Sequence, residues 1–249
     1  MKKLALLLAI LISIISCSEK ESNLTVTGEI KGLKKGTLYL QKIEDTILVN
    51  VDSVMVNGDP MFSMETYIES PQIMYLYLEK VDNNRYDDRI DFFADQGQVT
   101  INTKLEKFET SAEVVGSVNQ EKLMEYRKMI DRFNDQNLEL IKASFEAEKA
   151  QDEEKLMDID QKYDKLLKRK YLYTVNFAIN NKEHEIAPYL ALSEVFDANI
   201  KYLDTIYNSL APKVKKSKYG SELKKFLKER RKEEKLEEKV EAQSEVENS

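Results

Sequence analysis

Residues 24–30 read Leu24-Thr25-Val26-Thr27-Gly28-Glu29-Ile30. Thr25, Thr27 and Glu29 are polar, while Leu24, Val26, Gly28 and Ile30 are apolar or small. Side chains therefore sort onto two faces with a period of two, which is the mark of a strand. The pattern recurs along the chain. Lys34-Lys35-Gly36 turns it into Thr37-Leu38-Tyr39-Leu40-Gln41-Lys42-Ile43, and 47–56 is rich in Val and Ile. Asn57-Gly58-Asp59-Pro60 is a strong turn signal, and 61–67 is expected to return as its hairpin partner. Residues 73–78 form another strand, and 90–94 and 99–103 bracket a turn at Gln96-Gly97. Short strands at this spacing predict an antiparallel β-sandwich or partly open barrel over 24–116.

At Ser117 the period changes. Leu123, Tyr126, Ile130, Phe133, Asn137 and Leu140 step by three and four, as does a second series from Leu156 through Ile159, Tyr163 and Leu166 to Phe177. The first frame, extended, reaches Gln151 and Glu154 rather than Leu156. The break predicts two antiparallel helices with a charged turn at Gln151-Asp152; one continuous helix with a skip is the competing reading. Pro188 fits the first turn of a third helix, Ile200 to Leu210 makes a fourth stopped by Pro212, and an amphipathic piece starts at Ser217. The fold class is thus α+β, with an N-terminal β-domain followed by an α-helical hairpin and helical bundle region over 117–232. Residues 233–249, dominated by Lys, Arg and Glu, read as a charged, disordered tail.

Upstream of the strands, Lys2 and Lys3 precede an apolar run from Leu4 to Ile15. As a helix it reaches roughly 18 Å, against a hydrocarbon core of about 30 Å, so it has the length of a signal-peptide core rather than a span. It ends in Ile14-Ile15-Ser16-Cys17, which resembles the lipobox of bacterial lipoproteins. That resemblance implies a signal peptide over 1–16, cleavage between Ser16 and Cys17, lipidation of Cys17, and a polar tether over 17–23. Several acyl chains anchor a soluble body where one does not. Cys17 is the single cysteine, so its acylation leaves no thiol for disulfide or thiolate chemistry. Loss of Lys2 and Lys3 with the leader takes the net charge from −7 to −9, which makes nucleic acid an unsuitable partner.

The strand motifs carry a family resemblance. Val26-Thr27-Gly28-Glu29-Ile30, Gly36-Thr37-Leu38-Tyr39-Leu40, then Asp52-Ser53-Val54 leading to Asn57-Gly58 and Phe62, resemble domain-of-unknown-function 4369 at the start of many Bacteroidota lipoproteins. Ala187-Pro188-Tyr189-Leu190-Ala191-Leu192 and Ser217-Lys218-Tyr219-Gly220-Ser221-Glu222-Leu223 are similar to helices that precede a thioredoxin-like module in longer members. Those members carry a W-C-x-x-C centre. Here there is no Trp, and the one cysteine is Cys17, so no redox activity is carried over.

Reactive constellations are few. His184, the sole histidine, lies between Glu183 and Glu185, without the spacing of a zinc motif. It reads as a loop residue. Asp82, Asp87, Asp88, Asp91 and Asp95 form a carboxylate cluster without an EF-hand loop. Tyr75 and Tyr77 are expected to part, one inward and one outward, as architecture rather than a carbohydrate platform. Asp45-Thr46-Ile47, Asp52-Ser53-Val54 and Asp204-Thr205-Ile206 resemble acceptors of periplasmic O-glycosylation in the same bacteria. No catalytic, cofactor-binding or metal-binding residue is assigned. The expected protein is a non-catalytic lipoprotein of the cell envelope, at the outer membrane on its periplasmic or surface face, binding an envelope protein or a ligand. The alternative is an accessory of thiol–disulfide interchange lipoproteins that lacks the redox domain.

Overall fold

The computed structural model describes residues 20–80 and 88–247, with side chains to 236. Eight strands form two four-stranded sheets packed face to face: β1 (Leu24–Lys31), β2 (Lys35–Glu44), β3 (Ile47–Asn57), β4 (Met61–Thr66), β5 (Gln72–Glu79), β6 (Asp88–Ala94), β7 (Gly97–Lys104) and β8 (Glu113–Val115). One sheet has the order β4-β1-β7-β8, the other β3-β2-β5-β6. Between them lies a core that includes Val26, Leu38, Leu40, Leu76, Phe92 and Ile101, each buried. The alternation in β1 is explained by this core, because Leu24, Val26, Gly28 and Ile30 all face it. Gly28 sits so close to β7 that a Cβ there would lie 1.8 Å from the Ile101 carbonyl oxygen.

Two connections differ from the sequence reading. β4 does not pair with β3; it crosses to the other sheet and pairs antiparallel with β1. Gly58 turns the chain at φ 100°, and the Pro60 carbonyl accepts from the Ile30 amide at 3.0 Å, fastening the chain to β1. The turn bracketed at Gln96-Gly97 is present, but it joins β6 and β7 of different sheets rather than neighbours in one antiparallel sheet. Past Gly97 (φ 114°) the chain changes sheet, and β7 runs parallel to β1. The turn signals were therefore corners of a sandwich. A third correction concerns Tyr75 and Tyr77, which share the outer face of β5 while Met74, Leu76 and Leu78 point inward. Positions two apart on a strand lie on one face.

The helical half begins at Ser117, whose hydroxyl caps α1 (Val118–Ala150) by accepting from the Gln120 amide at 3.0 Å. Gln151, in the left-handed region at φ 56°, ends α1, and the Asp152 carboxylate caps α2 (Glu153–Asn180). The frame break in the sequence is thus the tip of an antiparallel hairpin. Then follow α3 (Ile186–Ser193), α4 (Ile200–Ser209), α5 (Pro212–Lys215) and α6 (Lys218–Glu247). The last runs through residues expected to be a disordered tail. Lys, Arg, Glu and Leu are strong helix formers, so a charged composition does not preclude a helix. Val175, Ala187, Leu203, Ile206, Val214 and Leu223 build the helical core.

A third cluster joins the halves. Ile73 and Phe93, on the outer face of the second sheet, pack against Leu123, Tyr126, Ile186 and Tyr219. Two buried hydrogen bonds fix the contact: the Ile73 amide donates to the Tyr219 hydroxyl at 2.9 Å, and the Phe93 amide to the Gln120 side chain at 2.8 Å. Tyr126 lies deeper. The Thr174 hydroxyl gives its proton to the Lys170 carbonyl at 3.0 Å, so at 2.8 Å it accepts from Tyr126. Burial raises the phenols of both Tyr126 and Tyr219 above their ordinary range.

Candidate functional site

Ser16, Cys17 and the leader lie outside the described residues, as do Asp82 and Asp87. The end of the expected tether does not. Lys20 pairs with Glu69 at 2.8 Å, the Ser22 hydroxyl donates to Glu65 at 3.0 Å, and Asn23 exchanges two hydrogen bonds with the backbone of Ile68. The chain is therefore bound to the sandwich from Lys20 onward. No helix among the described residues is long and apolar enough to cross a membrane.

Of the titratable groups singled out in the sequence, the fold sends Asp88 and Asp91 to separate ion pairs and brings Asp95 to the same depression as Glu183, His184 and Glu185. Asp88 pairs with Lys80, and Asp91 with Arg127 of α1. Asp95 accepts from the Val118 amide at 2.9 Å and from the Asn119 side chain at 2.7 Å, at the start of α1. His184 lies in the α2–α3 turn, where its amide donates to the Asn181 carbonyl at 2.9 Å. Of its neighbours, Glu183 is exposed and Glu185 is buried, accepting from Asn119 at 3.3 Å. The histidine and the two glutamates border one depression but differ in burial, with Glu185 the one fixed by a hydrogen bond. Among the acceptor-like tripeptides, Thr46, Ser53 and Thr205 are all exposed, and the Thr205 hydroxyl donates to the Lys201 carbonyl at 2.7 Å.

The outer tyrosines are not an open platform either. Tyr39, Tyr77 and Arg89 stand opposite one another on β2, β5 and β6. The Tyr39 and Tyr77 rings stack at 6.0 Å and 23°, and the Arg89 guanidinium lies 5.3 Å from the centre of the Tyr77 ring. Both faces of Tyr77 are thereby in contact, which is a cross-strand ladder rather than a surface for a sugar. Tyr171, bonded to Asp197 at 2.8 Å, has its phenol pushed up to about 12, chiefly by desolvation.

What the fold assembles, and the sequence does not, is a groove along the seam between sandwich and helices. Its larger part, about 930 Å³, has Lys20, Lys42, Glu69 and Gln72 on the sandwich side and Lys218 and Glu222 on the helical side. Its smaller part, about 510 Å³, passes Asp95, Asn119, His184, Glu185 and Lys213. Glu69, Ser70, Lys216 and Ser217 border both, making them one continuous depression. The Lys218 amide donates to Ser70 at 3.0 Å, which docks α6 on the β4–β5 connection.

The walls carry both signs of charge. Lys20–Glu69, Lys42–Glu44 and Lys218–Glu222 are ion pairs at 2.8, 2.9 and 2.8 Å. The hydrogen bond from Lys20 holds the Glu69 carboxyl below its ordinary value and raises Lys20. Lys213 and Lys216 make no ion pair with any described residue. The Ser217 hydroxyl donates to the Val214 carbonyl at 2.8 Å, so its proton is committed to the backbone. This surface offers charged groups and hydrogen-bonding groups rather than an apolar patch. Its residues come from seven separate segments between 20 and 222, which no spacing in the sequence connects.

Residues 24–123 match the family model described as domain of unknown function (DUF4369). The match spans the sandwich and the first turns of α1. No curated protein and no solved structure matches the chain.

Proposed function

We propose, for a chain whose residues 24–123 are a DUF4369 domain, that it is a non-catalytic lipoprotein of the cell envelope. In this reading the lipid on Cys17 tethers it to the outer membrane and the seam groove holds a partner protein or ligand there. One observation carries the reading: the groove begins where the tether ends. Lys20 lines the larger part of the groove and is three residues from Cys17. Three extended residues reach about 10 Å, so an anchor at Cys17 keeps the groove close to the lipid surface. Support also comes from the commitments of the polar groups. Asp88 and Asp91 are held in ion pairs, and Asp95 and Glu185 both accept from the Asn119 side chain. A mixed-charge rim suits a polar partner met at a membrane.

The test is photocrosslinking in intact cells, with the probe placed at Lys42 or Lys216 in the groove and at Met55, 77% exposed on β3, as control. The reading expects one envelope adduct from the groove positions, none from Met55, and loss of the adduct together with membrane retention in Cys17→Ala. Equal labelling from all positions, or none, contradicts it. A thioredoxin-like adduct would instead identify an accessory of thiol–disulfide interchange.

A further inference from the structure

The hairpin of α1 and α2 outruns the body it stands on. From Asn134 to Arg169 the only buried residues are Ala147, Ile159 and Leu166, so this part forms an arm roughly 25 Å long. Yet it is not polar all round. Leu138, Ile141 and Phe145 on α1, and Met157 and Tyr163 on α2, are between 42% and 66% exposed.

Apart from Met157, these residues share a side. At 3.6 residues per turn, Leu138, Ile141 and Phe145 lie roughly 60–120° round from the seam of Phe133, Asn137 and Leu140. Tyr163 and Leu167 are turned in the same sense from the seam of Ile159 and Leu166, while Met157 lies at the outer edge of α2, nearly opposite that seam. In an antiparallel pair, positions turned in the same sense emerge on the same side. A crevice of about 110 Å³ confirms the side, because Asn134, Asn137, Tyr163 and Leu167 line it together, with Phe133 and Leu166. Asn137 Oδ1 is buried there without a hydrogen-bond partner.

The outer edges of that side are opposite in charge. Lys142 and Lys149 flank the apolar stripe on α1, while Glu153, Asp160 and Asp164 flank it on α2, all exposed. The tip at Gln151 and the contact of Tyr126 with Thr174 set the register, which brings Lys142 level with Asp160, with Asp164 one turn nearer the body, and Lys149 level with Glu153. Lys142 also reaches Glu139 at 2.7 Å, an exposed pair of small energetic weight.

We propose that this side of the arm pairs with the same side of a second copy, giving a four-helix bundle with every neighbour antiparallel. A two-fold axis along the arm lays α1 on α2 of the partner subunit. Leu138, Ile141 and Phe145 then meet Leu167 and Tyr163, with Met157 at the rim, and the two lysines meet the three carboxylates, twice over. An axis across the arm instead sets Lys142 against its own copy, so charge selects the first arrangement.

Sedimentation equilibrium of the full chain tests this. The wild type is expected to show a dimer that weakens with salt. Lys142→Glu with Lys149→Glu, and separately Glu153→Lys with Asp160→Lys and Asp164→Lys, should each raise the dissociation constant by about tenfold or more. Mixing the two charge-reversed chains should restore a dimer of mixed composition, a result that misfolding of either chain does not produce. A wild type that stays monomeric at all concentrations, a dimer indifferent to both sets, or a mixture that does not associate overturns the proposal.

Discussion

The sandwich and the arm handle apolar surface in opposite ways. In the sandwich every inward position from Leu24 to Ile101 meets the facing sheet, and the outer face left bare at Ile73 and Phe93 is covered by helices. In the arm two helices meet along one seam only, and a second apolar stripe has nothing opposite it. The arm as it stands is two helices of the four that the proposed pairing brings together. The lesson is that completeness is a property of layers rather than of secondary structure. Both regions are regular, but only the sandwich closes on itself.

The largest effect that would sharpen this contrast belongs to the sandwich. Gly28→Ala places a Cβ against the Ile101 carbonyl oxygen, in backbone held on both sides by ladders. A loss of about 3 kcal/mol or more is expected in denaturant unfolding, with the whole chain destabilised together. A loss under about 1 kcal/mol would mean that the two sheets yield more than their packing implies.

The junction comes next. Tyr219→Phe removes the acceptor of the buried Ile73 amide and is expected to cost about 1–3 kcal/mol. The same tyrosine sets an alkaline limit. Its phenol is raised by burial, as is that of Tyr126, while unfolded tyrosines ionise near pH 10. This stability is therefore complete below about pH 10 and is lost as pH rises toward the raised native values. Tyrosinate absorbance and helical circular dichroism should change together; phenols ionising well before unfolding would refute the burial.

The smallest effect lies in the arm. Asn137→Leu replaces a buried oxygen without a partner by an apolar group, and should stabilise the protein by about 1 kcal/mol in thermal unfolding. Destabilisation would show that Asn137 is bonded across a pairing surface.

Much of this was readable beforehand, for definite reasons. Period two marked the strands, and the slip of the heptad frame at Gln151 marked the hairpin tip. The need for glycine at 28 was not readable, because it comes from the approach of β7, where a Cβ would lie 1.8 Å from the Ile101 carbonyl oxygen. Partnership between strands was not readable, since Asn57-Gly58-Asp59-Pro60 looks alike whether it closes a hairpin or passes between sheets. Tyr75 and Tyr77 were divided between faces against the period that defined their strand. The second stripe of α1 was passed over because Leu138, Ile141 and Phe145 lie off the seam that identified the helix. The groove left almost no trace, being assembled from Lys20, Lys42, Glu69, His184 and Lys216, which meet only in three dimensions.

Amide hydrogen exchange, followed by mass spectrometry over a series of protein concentrations, bears most directly on the difference between a closed sandwich and an open arm. Protection over 134–169 should fall on dilution while that of β1, β2 and β5 stays constant. Exchange in the arm that is equally slow at every concentration would contradict the account, for it would mean that the two helices need no second pair to complete them.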